Sequence, residues 1–214
     1  MNKKTVLFFT GSRSDYSLLK ILIKKFSNQK SFNTKVAAGG HHFSKLFGYT
    51  YKEIFKDKIR LNYRSKIKIK DTNVNELIKF LGNSLKNYSK LITKAKPDIV
   101  ILLGDRYETY CFCVASFFLN IPIVHIHGGE LTYGALDDGL RHSITKLSNF
   151  HFVSHLSYAK RVIQLGENPK RVFNVGALGV ENIVQTKLID KKNLLQSYKI
   201  PNNKKLALVT FHPV

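Results

Sequence analysis

The sequence lacks any apolar run long enough to cross a membrane. Its first apolar stretch, residues 6–9, is four residues long and ends before Thr10 and Gly11, whereas a membrane-spanning helix needs about 20 apolar residues in succession. That stretch is also shorter than the apolar core of a secretory signal peptide, and no later run approaches the length of a membrane span. We therefore expect a soluble, cytoplasmic protein that has no membrane partner.

Cysteine is scarce, because Cys111 and Cys113 are the only two in the chain. They lie two positions apart in an apolar helical pattern, so they point in different directions and are predicted to be buried free thiols. No spacing of Cys and His resembles a zinc site, and the turn after the first strand lacks the three spaced glycines of a dinucleotide site. We expect no metal and no cofactor, nicotinamide and flavin nucleotides included.

Acidic residues are few, since 14 Asp and Glu stand against 35 Lys and Arg and give a formal net charge of +21. A nucleic-acid surface gathers its basic residues on one face, whereas the lysines here are scattered over the polar sides of periodic segments. The densest region, residues 56–70, ends in an alternating segment at 66–70 that is typical of an edge strand, where lysines discourage association. We interpret the charge as a solvated surface and expect no nucleic-acid partner.

What the sequence does contain is a regular alternation of short apolar strands and amphipathic helices. Strands are predicted at 5–10, 36–38, 98–103, 121–127, 150–154, 172–175 and 205–211. The first helix is expected to have Ser14 or Asp15 as its N-cap, and residues 43–71 are expected to form an irregular excursion. This order predicts the α/β class, with a doubly wound parallel sheet that is Rossmann-like.

The last predicted strand is followed by no helix that could cover its apolar faces. We therefore divide the chain into an N-terminal domain, residues 1–178, and a segment at 179–214. The second segment is interpreted as a bridge and the first strand of a second domain that is largely absent from this sequence.

Polar residues concentrate between positions 125 and 142, where a strand ends, crosses a Gly-rich loop and enters a helix. This edge of an open α/β sheet is where ligands bind. His125 and His127 are two apart in the predicted strand and should face the same side. A lone histidine is usually a satisfied core residue, but two on one face, followed by Gly-Gly and Glu130, favour a functional site.

Asp137 and Asp138 open the next helix, where the helix dipole favours negative charge. The spacing of four residues predicts the pairs Asp137–Arg141 and Asp138–His142. A carboxylate that holds an imidazole can set a general acid or base. Asp105 directly follows the central strand; it can cap the next helix, serve as a catalytic carboxylate, or do both.

Two earlier turns also carry candidate residues. Arg13 follows the first strand, where a strand–turn–helix order would present backbone N–H groups and a guanidinium to an anion. His41 and His42 follow a Gly pair at a strand end, and a site and a structural loop remain equally open there. Together, carboxylates, histidines and arginines at strand ends suit proton transfer on an anionic, polyhydroxylated ligand.

These motifs together resemble those of the hydrolysing UDP-N-acetylglucosamine 2-epimerases of bacterial sialic-acid-type pathways. The matching segments, in family order along the whole chain, are TGSRSDY at 10–16, GHH at 40–42, FGYT at 47–50, PDIV at 97–100, GDR at 104–106, HIHGGE at 125–130, DD at 137–138, RHSITKLS at 141–148 and FHPV at 211–214. The resemblance implies the first half of a GT-B-like two-domain fold, with the active site between the domains. For the full-length form we expect a homo-oligomer.

The resemblance also implies a reaction, in which UDP is eliminated from UDP-N-acetylglucosamine and water then adds to the 2-acetamidoglucal to give N-acetylmannosamine. By motif position, the candidates for proton transfer and for orienting water are Asp105, His127, Glu130, Asp137 and His212. Supporting roles fall to Asp138, Arg141 and His142, and the residues expected to face the nucleotide or sugar are Arg13 and His42. Position 127 is His, as in bacterial members, whereas animal relatives carry Glu, so the assignment of the base stays open.

Two alternative functions remain open. The first is a UDP-diacetylbacillosamine-type 2-epimerase in legionaminic acid synthesis, because nothing in the first domain separates the two sugars. The second is an inactive truncated remnant or a partner subunit, because the family continues past the FHPV motif into a second domain that supplies most contacts to UDP.

Overall fold

The structure is a computed structural model and describes residues 3–67, 73–133, 136–201 and 203–211. Within these ranges the strands are β1 (Lys4–Thr10), β2 (Phe32–Ala38), β3 (Tyr63–Arg64), β4 (Ile99–Leu103), β5 (Ile123–Ile126), β6 (Phe150–Val153) and β7 (Val172–Asn174). The helices are α1 (Arg13–Ser27), α2 (Tyr51–Lys56), α3 (Val74–Ala95), α4 (Tyr107–Phe118), α5 (Leu136–Leu147), α6 (Leu156–Gln164), α7 (Leu178–Gln185) and α8 (Lys191–Ser197). None of these helices is both long enough and apolar enough to span a membrane.

All strands in the described ranges join one parallel sheet in the order β3-β2-β1-β4-β5-β6-β7. The chain winds outward from β1 to β3, returns to the centre at β4, and winds outward again to β7. The switch point therefore lies between β1 and β4, and ligands of such sheets bind outside the carboxyl ends of the strands there. The predicted doubly wound parallel sheet is confirmed.

The central strands are buried on both faces, which explains their continuous apolar runs. Leu7 and Phe9 of β1 pack with α3 and α4, and the Phe9 ring stacks on Phe112 with 4.2 Å between centroids. Val6 and Phe8 of β1 face the other layer, which contains α1. Two apolar layers thus hold the sheet rigid and set the carboxyl ends of β1, β4 and β5 side by side.

Helix α1 begins two or three residues earlier than the sequence predicted. Its N-cap is Ser12, whose side chain accepts from the backbone N–H of Asp15. The Asp15 carboxylate in turn accepts from the N–H groups of Gly11 and Ser12 at 2.9 and 3.0 Å. The prediction of Ser14 or Asp15 as the cap is wrong, because this capping box places Asp15 three positions inside the helix.

After β7 the chain forms α7 and α8, and its last described residues do not form the strand predicted at 205–211. Helix α7 contacts α1 through Lys25 and Glu181, whose charged groups are 2.8 Å apart. Residues 203–211 contain no helix or strand among those described, and Leu208 is 96% exposed. The strand predicted at 205–211 is wrong for these residues, since no strand of the described ranges lies beside them to pair with their backbone.

Two smaller predictions can also be checked. Cys111 and Cys113 are free and buried on α4, as expected. The alternating segment predicted as an edge strand at 66–70 is not one where it is described, since residues 66 and 67 lie outside any strand and 68–70 lie outside the described residues. The edge of the sheet is instead the two-residue strand β3.

Candidate active site

A polar cavity of about 270 Å³ lies at the carboxyl ends of the central strands. It is lined by Ser14, Asp15, Leu18, Leu103, Gly104, Asp105, Arg106, Tyr107, His127, Glu130 and Asp137. Four of the five predicted acid–base residues therefore share one cavity, although they come from three separate segments of the chain. The fifth, His212, lies outside the described residues.

A larger groove of about 680 Å³ lies on the sheet face between α1 and α7. Its lining is apolar except for Lys25 and Glu181, and it contains none of the predicted site residues. Proton transfer needs titratable groups that converge on the ligand, so the smaller polar cavity is the candidate site.

Asp105 is held by an arginine from α5. The buried Arg141 donates its Nε–H to Asp105 Oδ2 at 2.9 Å, and its Nη2 reaches the same oxygen. Its Nη1 donates to Asp138 Oδ1 at 2.6 Å and to the carbonyl oxygen of Glu130 at 2.8 Å. One guanidinium thus orients the loop after β4, the loop after β5 and the start of α5.

These contacts correct three predictions. Arg141 pairs with Asp138 three positions earlier and with Asp105, so the predicted pair Asp137–Arg141 is wrong. Asp138 is engaged by Arg141 and by the backbone N–H of Thr132, so the predicted pair Asp138–His142 is also wrong. The cap residue of α4 is Arg106, which leaves the Asp105 carboxylate to Arg141 and the cavity.

His127 and Glu130 form the second polar pair of the cavity. Strand β5 ends at Ile126, and His127 adopts a φ of +66°, a left-handed conformation that is strained for a residue with a side chain. Its Nδ1 lies 3.1 Å from Glu130 Oε1, and Ser154 donates to the same oxygen at 2.7 Å. The buried Nε2 of His127 has no hydrogen-bond partner among the described residues.

The charge of Glu130 follows from these contacts. Burial pushes the pKa of Glu130 upward, but the hydrogen bonds from His127 and Ser154 outweigh burial and leave the pKa below its ordinary value. Glu130 is therefore a carboxylate at neutral pH that holds the imidazole of His127. In the part of the chain that the structure describes, no protein group occupies Nε2 of this imidazole, so it can bind a ligand.

His125 does not share the role of His127. It is fully buried, and its ring nitrogens lie 2.8 Å from the Gly104 carbonyl oxygen and 3.1 Å from Thr145 Oγ1. Burial lowers the pKa of His125 to about 3, so the ring is neutral. The prediction that both histidines face one side assumed a strand through residue 127, and the backbone leaves the strand before that point.

The remaining predicted residues line no part of this cavity. Arg13 is exposed in the first turn of α1, and His142 is half-buried on α5. His42 is fully buried, with its ring nitrogens 3.0 Å from Thr10 Oγ1 and 2.9 Å from Thr50 Oγ1. Burial lowers the pKa of His42 to about 4, so it is a neutral core group whose nitrogens are both engaged.

The sequence reasoning missed several residues of the cavity. Arg106 and Tyr107 line it, and the buried Glu108 lies directly behind them. The signal was available, because Glu108 is the one charged residue in the sequence of α4, which is mostly apolar. Ser154, which orients Glu130, follows β6 and carries no local pattern that would identify it.

Comparisons with known proteins agree along the whole chain. A family profile described as UDP-N-acetylglucosamine 2-epimerase matches residues 24–214. A Campylobacter jejuni relative named GDP/UDP-N,N'-diacetylbacillosamine 2-epimerase (hydrolyzing) is 38% identical over 100% of this chain and 56% of its own length. A Legionella pneumophila relative named UDP-N,N'-diacetylbacillosamine 2-epimerase (hydrolyzing) is 33% identical over 99% of this chain and 56% of its own length.

A solved structure shares the fold. The UDP-GlcNAc 2-epimerase from Neisseria meningitidis bound to UDP-GlcNAc superposes with a TM-score of 0.77 at 21% identity, over 94% of this chain and 55% of that structure. At this identity the likeness concerns the fold alone, and it confirms the first half of a GT-B-like architecture. The chain spans about half the length of the curated relatives it matches.

Proposed function

Because this chain belongs to the UDP-N-acetylglucosamine 2-epimerase family, we propose that it carries the acid–base half of a hydrolysing 2-epimerase. The substrate would be a UDP-linked sugar with an acetamido group at C2. The observation that carries this proposal is the shared cavity, in which the His127–Glu130 pair and the Arg141-held Asp105 supply groups that can move protons.

Two sugars are candidates for the substrate. The relatives from Campylobacter and Legionella are both named as diacetylbacillosamine 2-epimerases, which favours UDP-N,N'-diacetylbacillosamine. The Neisseria structure is bound to UDP-GlcNAc, which supports UDP-N-acetylglucosamine and a place in sialic acid synthesis as the second candidate. Both sugars carry the nucleotide on C1 and an acetamido group on C2, so the chemistry is the same.

The proposed reaction has two steps that balance. In the first, a base removes the proton from C2, the C1–O bond to UDP breaks, and the electrons form a C1–C2 double bond. In the second, the oxygen of water adds to C1 and a proton is delivered to C2 on the opposite face. The products are UDP and the free sugar with its C2 configuration inverted.

The contacts suggest how the residues share this work. We assign removal of the C2 proton to Nε2 of His127, because that nitrogen is buried without a partner among the described residues and Glu130 holds the opposite nitrogen. Asp105 would exchange the proton of the departing UDP or the entering water, with Arg141 fixing its position. Asp137 lines the same cavity and is the second candidate for orienting water.

The size of the cavity supports an active site that this domain shares with a second domain. Small-molecule sites commonly enclose about 300–1,000 Å³, and the cavity of about 270 Å³ suits the sugar end of a nucleotide sugar. We propose that a second domain binds the nucleotide, with residues 179–214 as the bridge.

We also propose a cytoplasmic location. The free thiols Cys111 and Cys113 support it, because disulfides are rare in the cytoplasm.

Proton NMR in heavy water tests the proposal. The 214-residue chain is incubated with each of the two UDP-sugars, first alone and then mixed with the C-terminal half of the Campylobacter relative. We call this mixture the complemented chain. Release of UDP with a free sugar that carries deuterium at C2 is the expected result. The C-terminal half alone, and the complemented Asp105→Asn chain, serve as controls. Failure of both sugars in the complemented chain would contradict the proposal and favour a non-catalytic partner.

A further inference from the structure

A buried carboxylate that the proposed reaction does not use lies behind the cavity wall. Glu108 is in the first turn of α4 and has no exposed surface. Burial raises the pKa of Glu108 to about 7, and the neighbouring charge of Arg106 is the main influence that opposes this rise. A buried carboxylate is costly unless it is paired, so its partners indicate what it does.

Two glycines make room for the Glu108 side chain. A Cβ at Gly11, in the loop after β1, would lie 2.9 Å from the Cβ of Glu108. A Cβ at Gly40, in the loop after β2, would overlap the Cγ of Glu108, and Gly40 also has a φ of +56°. Glu108 therefore joins the loops after β1 and β2 to the first turn of α4, at the carboxyl edge of the sheet.

The carboxylate holds an arginine. Arg106 donates its Nε–H to Glu108 Oε2 at 3.2 Å, and the backbone N–H of His41 lies 3.4 Å from Glu108 Oε1. Arg106 Nη2 lies 2.8 Å from His41 Nδ1, and the His41 ring stacks on Phe47 with 3.6 Å between centroids. Burial, with the Arg106 charge, lowers the pKa of His41 to about 4, so Nδ1 accepts from the guanidinium at neutral pH.

Arg106 has a special place among the residues that line the cavity. It is the one permanent cation in that lining as far as the chain is described, against the carboxylates of Asp15, Asp105, Glu130 and Asp137. Arg141 is not available, since it is turned to Asp105 and Asp138. A planar guanidinium is suited to phosphate oxygens, because its N–H groups can bind two of them at once.

We propose that Glu108 is a positioning residue that holds the Arg106 guanidinium at the cavity wall, where Arg106 binds the diphosphate of the nucleotide sugar. This inference rests on the proposed function. Glu108 itself touches no substrate, because it is sealed between the glycines of two loops. Its effect on the ligand passes through Arg106 alone.

Titration of the 214-residue chain with inorganic pyrophosphate tests the inference. The readout is the NMR signal of the arginine Nε–H groups, in which the Arg106 signal is identified by its loss in Arg106→Gln. At pH 8, where Glu108 with its pKa of about 7 is mainly ionised, the Arg106 signal should respond to pyrophosphate. Glu108→Gln should then raise the half-saturating concentration about tenfold, because a hydrogen bond to an ionised carboxylate is replaced by one to a neutral amide. Glu76→Gln, which removes a carboxylate from the first turn of α3, is the matched control and should change nothing.

A double variant separates positioning from a general structural role. If Glu108 acts through Arg106, the variant with both substitutions should bind pyrophosphate no more weakly than Arg106→Gln alone. The inference would be overturned if the two substitutions raised the half-saturating concentration by the product of their separate effects. It would also be overturned if pyrophosphate did not change the Arg106 signal of the unmodified chain. Should Glu108→Gln fail to fold, Glu108→Asp replaces it, with a smaller loss expected.

These titrations require no turnover, so they fail independently of the proposed function. If the titrations show coupling between Glu108 and Arg106 but the complemented chain turns over neither sugar, only the proposed function is contradicted. Turnover without that coupling would contradict only the positioning role.

Discussion

Arg141 donates its Nε–H to Asp105 at 2.9 Å, although the two residues lie 36 positions apart in the chain. The same guanidinium reaches Asp138 and the carbonyl oxygen of Glu130. Because Arg141 is only 3% exposed, these partners replace the water that would otherwise stabilise its guanidinium. The contact therefore joins the stability of the loops to the geometry of the cavity, and both can be measured.

Replacing Arg141 by Met should destabilise the fold. The carboxylates of Asp105 and Asp138 would lose their common partner, and breaking a buried pair costs about 3 kcal/mol. Urea denaturation measures the change in the free energy of unfolding. Lys79→Met, which breaks the exposed pair with Glu76, is the control and should cost less than about 0.5 kcal/mol. Equal losses in the two variants would show that Arg141 is not a structural anchor.

Asp105→Asn should remove turnover from the complemented chain and leave its fold intact. The amide keeps the size of the side chain but cannot exchange a proton, and general acid–base catalysis is worth about a thousandfold in rate. The NMR assay measures the rate, and the circular dichroism spectrum checks the fold. Activity close to that of the unmodified chain would remove Asp105 from the mechanism.

The strained backbone at His127 predicts an unusual order of stability. At a φ of +66°, glycine should be more stable than alanine by about 1 kcal/mol, because only the alanine Cβ clashes in the left-handed region. His127→Gly and His127→Ala are compared by urea denaturation, and neither should support turnover. Ser143 in the middle of α5 is the control, where glycine should be the less stable residue by about 1 kcal/mol.

His125 predicts that stability falls in acid. Burial keeps the folded pKa near 3, against 6.5 for an unhindered histidine, so the unfolded chain binds a proton that the folded chain cannot. Its penalty is absent above pH 6.5 and grows below it, to about 2 kcal/mol at pH 5. The fall in unfolding free energy from pH 7 to 5 should be smaller by this amount in His125→Asn. Between pH 8 and 7 the two curves should run parallel.

Ser154→Ala should move the acid limb of the pH–rate profile to higher pH. The hydrogen bond from Ser154 at 2.7 Å helps to lower the pKa of Glu130, so its loss raises that pKa. The ionised fraction of Glu130 then falls at a higher pH, and turnover of the complemented chain should fall with it. Ser143→Ala, on the exposed face of α5, should leave the limb in place. An unmoved limb in Ser154→Ala would show that ionised Glu130 is not required.

The sequence predicted some elements well and others poorly, for identifiable reasons. The central strand predicted at 98–103 was found within one residue at either end, because it is a continuous apolar run of typical strand length. The strand at 205–211 failed, because an apolar run becomes a strand only when another strand lies beside it. The predicted partner of Arg141 was wrong because residues three and four positions apart both lie on the same face of a helix. The other partner, Asp105, is 36 positions away, so no local pattern indicated it.

By itself, the sequence determined the doubly wound sheet, the edge at which polar groups gather, and the family to which the chain belongs. These properties follow from hydrophobic periodicity and from motifs that can be recognised locally. Only the tertiary structure decided that Arg141 holds Asp105, that His127 leaves its strand while His125 stays in the core, and that Glu108 lies behind Arg106. Each of these depends on segments brought together by the parallel sheet, and the distances between such segments are not encoded in any one of them.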